Sequence, residues 1–161
     1  MKYFLLLLTI TILSCKENSQ NQSFEGDIYV TLINVYNVRG IVPKEKIEEF
    51  RKKVINFNAE NKSESEKKMN NYYKTLIDYN LFNKSNFQLK LKNGEIINVY
   101  VNDTEYQKLK KELENLNRDK EKIKVKFEGF KVSNGIYNRA IYSASTIKSV
   151  KKLEGKTDWK K

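Results

Sequence analysis

Apolar and polar residues alternate with a period of two in five stretches of this chain, and such alternation predicts half-buried β-strands. The stretches cover residues 27–38, 87–92, 95–101, 122–130 and 137–150. The second and third stretches are separated by Asn93-Gly94, a dipeptide typical of a tight β-hairpin turn. The pattern therefore predicts five strands, with the second and third paired.

Three other segments repeat their apolar residues every three or four positions, which is the period of an amphipathic helix. The first covers residues 44–58, the second runs from Ser63 or Ser65 to about Tyr79, and the third begins at Asp103 as its cap. A polar turn joins the first two helices. We expect them to form a helical hairpin between the first and second strands.

The order that remains without the hairpin is three strands, one helix and two strands. This order resembles the OB-fold, as do the local sequences of residues 124–129 and 144–147. The resemblance implies an α+β protein with an OB-like five-stranded β-barrel, a helix between strands 3 and 4, and a helical-hairpin insertion at residues 41–82. The alternative is an unrelated α+β domain with a meander sheet.

The beginning of the chain has the composition of an export signal. A single lysine at position 2 precedes an apolar run of about ten residues, which is too short for a permanent membrane span of roughly 20 residues. The only cysteine of the chain, Cys15, follows this run. The stretch resembles the signal peptide and lipobox of bacterial lipoproteins. The alternative is an ordinary secreted protein with a chance cysteine.

The lipoprotein resemblance implies a signal peptide at residues 1–14, a diacylglyceryl and acyl anchor on Cys15, and attachment to the cell outer membrane, on its periplasmic or surface side. Residues 15–23 are polar throughout and predict a flexible tether. Residues 24–153 then form the OB-like domain, and residues 154–161 form a basic C-terminal tail.

Composition limits the chemistry. The chain has 31 Lys and Arg against 20 Asp and Glu, a net charge of +11, and no histidine. Without histidine, Ser-His and Cys-His nucleophiles and His-ligated metals are excluded. We expect no metal, no cofactor and no enzymatic activity, although the sequence leaves open a hydrolase with two distant carboxylates.

The basic balance favours acidic partners, although a lysine-rich surface without a partner is equally compatible with it. In OB-folds, ligands bind across the outer face of strands 2 and 3. The alternation places Tyr29, Gln88, Lys90, Lys92 and Tyr100 on that outer surface. Tyrosines beside lysines are suited to bind nucleic acid or another polyanion, whereas the alternative is a solvated sheet whose edges the lysines protect.

Lys122, Lys124 and Lys126 stand two residues apart, so they share one face of the fourth predicted strand. Lysines in this arrangement suit contact with an anionic surface. Together, these features predict a lipid-anchored envelope lipoprotein with a non-catalytic binding or structural role. A polyanion-binding OB-type module is the alternative, and a hydrolase is the third hypothesis.

Overall fold

The computed structural model describes residues 21–31, 46–135 and 139–160. The predicted signal peptide, Cys15, most of the predicted tether and residues 32–45 lie outside these ranges. The strands in the described part are β1 (Gln22–Ile28), β2 (Val30–Thr31), β3 (Ser85–Leu91), β4 (Ile96–Val101), β5 (Glu121–Ser133), β6 (Ile141–Glu154) and β7 (Trp159–Lys160). The helices are α1 (Ile47–Ile55), α2 (Glu64–Asp78) and α3 (Asp103–Glu114).

Five of the strands form one mixed sheet that closes in a ring. The strand order is β1–β3–β4–β6–β5, and β5 pairs again with β1. β4 and β6 run parallel, whereas the other neighbours in the ring are antiparallel. The prediction of an α+β protein with five main strands and three helices is confirmed in the described residues.

The turn between β3 and β4 is the one that the Asn93-Gly94 dipeptide predicts. Gly94 has a φ of +83°, and its N–H donates to the carbonyl of Leu91 over 2.9 Å. The Asn93 side chain accepts a hydrogen bond from the N–H of Glu95 at 3.0 Å. The prediction that these two strands form a hairpin is confirmed.

The interior of the ring is filled by the inward members of each alternating strand. Leu89 of β3, Val99 of β4 and Phe127 of β5 have no exposed surface. Helix α3 adds the fully buried Leu109 to the same cluster. α3 is held to β6 because the Glu105 carboxylate accepts a hydrogen bond from the N–H of Ile147 at 2.6 Å.

The α1–α2 hairpin packs on the outer face of the ring. Leu76, Leu81 and Phe82 form a second apolar cluster with Tyr100 of β4 and Ile141 of β6. The second predicted helix is confirmed, and its N-cap is Ser63. The Ser63 hydroxyl accepts from the N–H of Glu66, whose carboxylate accepts from the N–H of Ser63. None of the helices within the described residues is long and apolar enough to cross a membrane.

Several predicted boundaries are wrong. β1 begins at Gln22, inside the predicted tether, because Phe24 packs on the ring interior with its ring centroid 5.3 Å from that of Phe127. Helix α3 is capped by Asn102 instead of Asp103, since the Asn102 side chain accepts from the N–H of Glu105 at 2.8 Å.

The last predicted strand is displaced as well, since β6 covers Ile141–Glu154 instead of residues 137–150. The predicted C-terminal tail is folded. β7 pairs in parallel with β2, and Thr157 is only 1% exposed. The Thr157 hydroxyl donates to the carbonyl of Glu121 over 2.6 Å.

Candidate functional site: a lysine face on the ring

One outer face of the ring, formed by β3, β1, β5 and β6, is rich in lysine. Its side chains point outward because the neighbouring positions of each strand fill the interior. We call this surface the lysine face, and its members are Lys90, Lys92, Lys122, Lys124, Lys126 and Lys151.

Strand register brings lysines together that are far apart in the sequence. Asp27 of β1 lies opposite Lys90 on one side and opposite Lys124 on the other. Lys124 is in turn opposite Lys151 of β6. Because adjacent strands are about 4.8 Å apart, these four side chains form one continuous row across the face.

Two lysines of the face are held in ion pairs. Lys122 donates to the carboxylate of Asp27 over 2.9 Å, and Lys90 donates to that of Asp158 over 2.5 Å. The hydrogen bond and the charge of Asp158 raise the pKa of Lys90 above its usual 10.5. The second oxygen of Asp27 is buried and has no hydrogen-bond partner among the described residues.

Lys124, Lys126 and Lys151 form no ion pair within the part of the chain that the structure describes. Lys126 and Lys151 are exposed, and Lys124 is half-buried. The three are neighbours, since Lys151 of β6 lies directly opposite Lys124 of β5 and Lys126 is two residues farther along β5. These three lysines therefore carry their charge outside any ion pair of the described residues, with Glu25 and Asp27 opposite two of them on β1.

A shallow depression of about 230 Å³ lies within the lysine face. Lys90, Lys92 and Lys124 line it, and so do three carboxylates, those of Glu25, Asp27 and Asp158. These carboxylates weaken the attraction for a small anion inside the depression.

The alternation predicted for the fourth strand is present in β5. Ile123, Val125 and Phe127 are fully buried, so Lys122, Lys124 and Lys126 share its outer face. Their contact with an anionic surface stays a prediction. Lys151, which the sequence analysis did not single out, joins them only through the register of β6.

The predicted exposure of Tyr100 and Gln88 is wrong. Both side chains point away from the ring interior as predicted, but Tyr100 is only 2% exposed and Gln88 only 5%. Tyr100 is covered by the α1–α2 hairpin, and its hydroxyl is hydrogen-bonded to that of Tyr72. Gln88 donates to the side-chain oxygen of Asn98 over 2.9 Å. The part of the outer face of β3 and β4 that contains Gln88 and Tyr100 is therefore not open to a ligand in this structure.

The buried tyrosine pair is electrically neutral at ordinary pH. Burial raises the pKa of Tyr72 above 10.0, against the opposing effect of the hydrogen bond from Tyr100. Burial and the neighbouring Tyr72 raise the pKa of Tyr100 well above that value. The pair therefore serves as an uncharged contact between hairpin and ring.

The four residues predicted for polyanion binding therefore lie on different parts of the molecule. Lys90 and Lys92 belong to the lysine face, and the half-buried Tyr29 follows β1, where its N–H donates to the carbonyl of Gln88 over 3.0 Å. Tyr100 lies beneath the hairpin. The structure does not unite the four in one open surface.

A second concave region lies between α2 and the turn that follows β5. This hairpin groove has a volume of about 280 Å³, and its walls combine polar residues such as Lys68, Asn71 and Ser133 with Tyr72 and Ile141. The sequence analysis missed it because the groove exists only through the docking of α2 against the ring.

Within residues 21–31, 46–135 and 139–160, no group of three or more acidic or cysteine side chains is placed to hold a metal ion. Comparison with protein-family models, with curated proteins and with solved structures finds no match for this chain.

Proposed function

We propose that this protein is a lipid-anchored lipoprotein of the cell envelope, with a non-catalytic binding or structural role at the outer membrane. The observation that carries the proposal is the short apolar run that ends at Cys15, the only cysteine of the chain. In bacterial lipoproteins, which this stretch resembles, the thiol at that position is acylated. The described domain fits such an anchor, because β1 begins seven residues after Cys15.

We further propose that the domain is an OB-like barrel. Support comes from the strand order β5–β1–β3–β4, which is that of a Greek key: three consecutive strands and a fourth that returns beside the first. Helix α3 follows the third ring strand and precedes the fourth, as the resemblance implies. The α1–α2 insertion then occupies the face on which OB-folds bind their ligands.

The non-catalytic part of the proposal is supported by the chemistry of the side chains. The chain has no histidine, the commonest general base of enzymes. Two carboxylates on the lysine face, Asp27 and Asp158, are paired with lysines.

A polyanion-binding module is the second candidate, and the lysines of the lysine face that form no ion pair among the described residues favour it. Its weakness is the burial of Tyr100, which removes the predicted stacking surface. Fluorescence anisotropy with a labelled single-stranded oligonucleotide, at low and at moderate salt, tests this candidate. An absence of binding at low salt would eliminate it.

Mass spectrometry of membrane fractions tests the anchor. We expect the natural chain to begin at Cys15 with an added acyl mass, and the Cys15→Ala variant to carry no lipid. Ser14→Ala is the matched control, because it keeps a small residue before the cut and should be acylated normally. If the natural chain stays in the soluble fraction with Met1 present and no acyl mass, the proposal is wrong.

A further inference from the structure

The chain enters its fold at one end of the lysine face, where Gln22 is in register with Gly129. β1 lies between β3 and β5, the two strands that contribute most of the lysines. Seven residues lead from Cys15 to Gln22, and they span at most roughly 25 Å when extended. Lys126 is in register with Glu25, which is about 10 Å along β1 from Gln22. This span is long enough for a lipid on Cys15 to reach the plane of the lysine face.

The hairpin lies on a different side of the ring. It packs on Tyr100 of β4 and on Ile141 at the start of β6, and β4 is not a neighbour of β1. A membrane that touches the lysine face would therefore leave the hairpin and its groove exposed to solvent.

The surface chemistry favours a membrane over a nucleic acid. Single-stranded nucleic acid is held by aromatic stacking as well as by cations, and Tyr100 is not available for stacking. The lysine face instead carries an exposed apolar side chain, Leu153, which is 36% exposed and in register with Lys122. Lysines around an exposed leucine on a sheet suit the polar surface of a lipid bilayer.

We propose that the lysine face docks on anionic headgroups of the same membrane that holds the Cys15 anchor, with the hairpin groove turned away from the lipid. Lys124, Lys126 and Lys151 supply the attraction, and Leu153 enters the headgroup layer. The inference rests on the proposed function in one respect, since Cys15 supplies the anchor that brings this face to the membrane.

Vesicle co-sedimentation of the lipid-free chain from residue 16 onward tests the proposal, because this chain keeps every described helix and strand. We expect binding at low salt to phosphatidylcholine vesicles that contain phosphatidylglycerol, and loss of binding at high salt. Replacing Lys124, Lys126 and Lys151 by glutamine should weaken binding on the order of 100-fold.

The matched control replaces Lys68, Lys74 and Lys111 by glutamine, which removes the same charge from the exposed surfaces of α2 and α3. It should bind almost as the natural sequence does. Equal binding to neutral and anionic vesicles, or equal weakening by both triple variants, would overturn the proposal. Tighter binding to a single-stranded oligonucleotide than to vesicles of equal phosphate content would also overturn it, in favour of nucleic acid.

The orientation has its own test, because the chain from residue 16 contains no cysteine. An environment-sensitive dye on Leu153→Cys should brighten and shift to the blue on anionic vesicles, whereas the same dye on Lys74→Cys should not. If both dyes respond alike, the docked face is a different one.

The result of the vesicle-binding experiment can be distinguished from the result of the Cys15 acylation test. An acylated Cys15 combined with no vesicle binding of the lipid-free chain would leave the proposed function intact and contradict only the docking. Vesicle binding by the lipid-free chain, combined with no acylation of Cys15, would support the docking and contradict the proposed anchor.

Discussion

Tyr72 and Tyr100 show at the scale of single residues how the hairpin is joined to the ring. Their hydroxyl groups are hydrogen-bonded, and both are shielded from water by the apolar residues of the hairpin. Because burial disfavours the charged form, both tyrosines have a raised pKa. The stability of the protein therefore depends on pH in the alkaline range.

The sign of this dependence follows from proton binding. Below pH 10.0 the tyrosines are protonated in the folded and the unfolded chain, so their contribution is complete. Above that pH the unfolded chain releases the protons first, and the free energy of unfolding falls until the folded-state pKa is passed. Tyr100→Phe removes one titrating group and should reduce this fall.

Urea unfolding between neutral and alkaline pH measures the effect. Tyr79→Phe is the control, because it makes the same chemical change at a tyrosine that is 48% exposed and outside the buried pair. If Tyr100→Phe and the natural sequence lose stability equally with rising pH, the buried pair does not titrate as we expect.

Gly129 allows β5 and β6 to approach closely. A Cβ atom at this position would lie 2.2 Å from the carbonyl oxygen of Ser143 and 2.9 Å from the Cα of Ala144. Both are backbone atoms, so relief requires movement of a strand. We predict that Gly129→Ala lowers the free energy of unfolding by about 3 kcal/mol.

Gly94→Ala serves as the comparison, because no atom lies within 4 Å of its added Cβ and only the φ of +83° is unfavourable. It should cost about 1 kcal/mol. Equal losses for the two variants in chemical unfolding would contradict the close approach at Gly129.

At the scale of single elements, helix α2 begins with a capping box formed by Ser63 and Glu66. Its capping box satisfies two backbone N–H groups, those of Ser63 and Glu66. We predict that Ser63→Ala costs about 1 kcal/mol in thermal or urea unfolding. Ser65→Ala, inside the same helix and exposed, should be neutral or slightly stabilising, since alanine favours helix. A loss at both positions would argue against the cap.

The end of α2 directs the chain back to the ring. Asn80 adopts a φ of +54°, and the N–H groups of Leu81 and Phe82 both donate to the carbonyl of Leu76. This turn places three buried side chains of the second cluster side by side, namely Leu76, Leu81 and Phe82. The hairpin is therefore a packed element of the fold.

At the scale of the whole molecule, the described residues form two apolar clusters, one inside the ring and one beneath the hairpin. We predict that Phe127→Ala, inside the ring, costs about 4 kcal/mol. It should raise hydrogen exchange in all ring strands together. Leu76→Ala, beneath the hairpin, should cost about 3 kcal/mol and raise exchange first in α1 and α2.

Hydrogen exchange followed by mass spectrometry distinguishes the two variants. Ile55→Ala is the control, because this helical side chain is 57% exposed and its truncation removes little packing. If Leu76→Ala and Phe127→Ala accelerate exchange in the same segments, the two clusters form one cooperative unit instead of two.

What the sequence alone determined about this protein is local. The alternation of strands, the Asn93-Gly94 turn and the helical periods arise from contacts between near neighbours, so they predicted most elements of the described part. The ends of the strands were harder to predict from the sequence. β1 begins before the predicted first strand because Phe24 packs on Phe127, a residue distant in the sequence.

Only the tertiary structure decided which outward side chains meet water. The alternation correctly places Tyr100 outside the ring, but it contains no information on the hairpin that buries this residue. In the same way, the assembly of Lys124 with Lys151 depends on strand register. Strand register and the packing of the hairpin on the ring depend on many contacts between residues distant in the sequence, so a local sequence pattern cannot predict them.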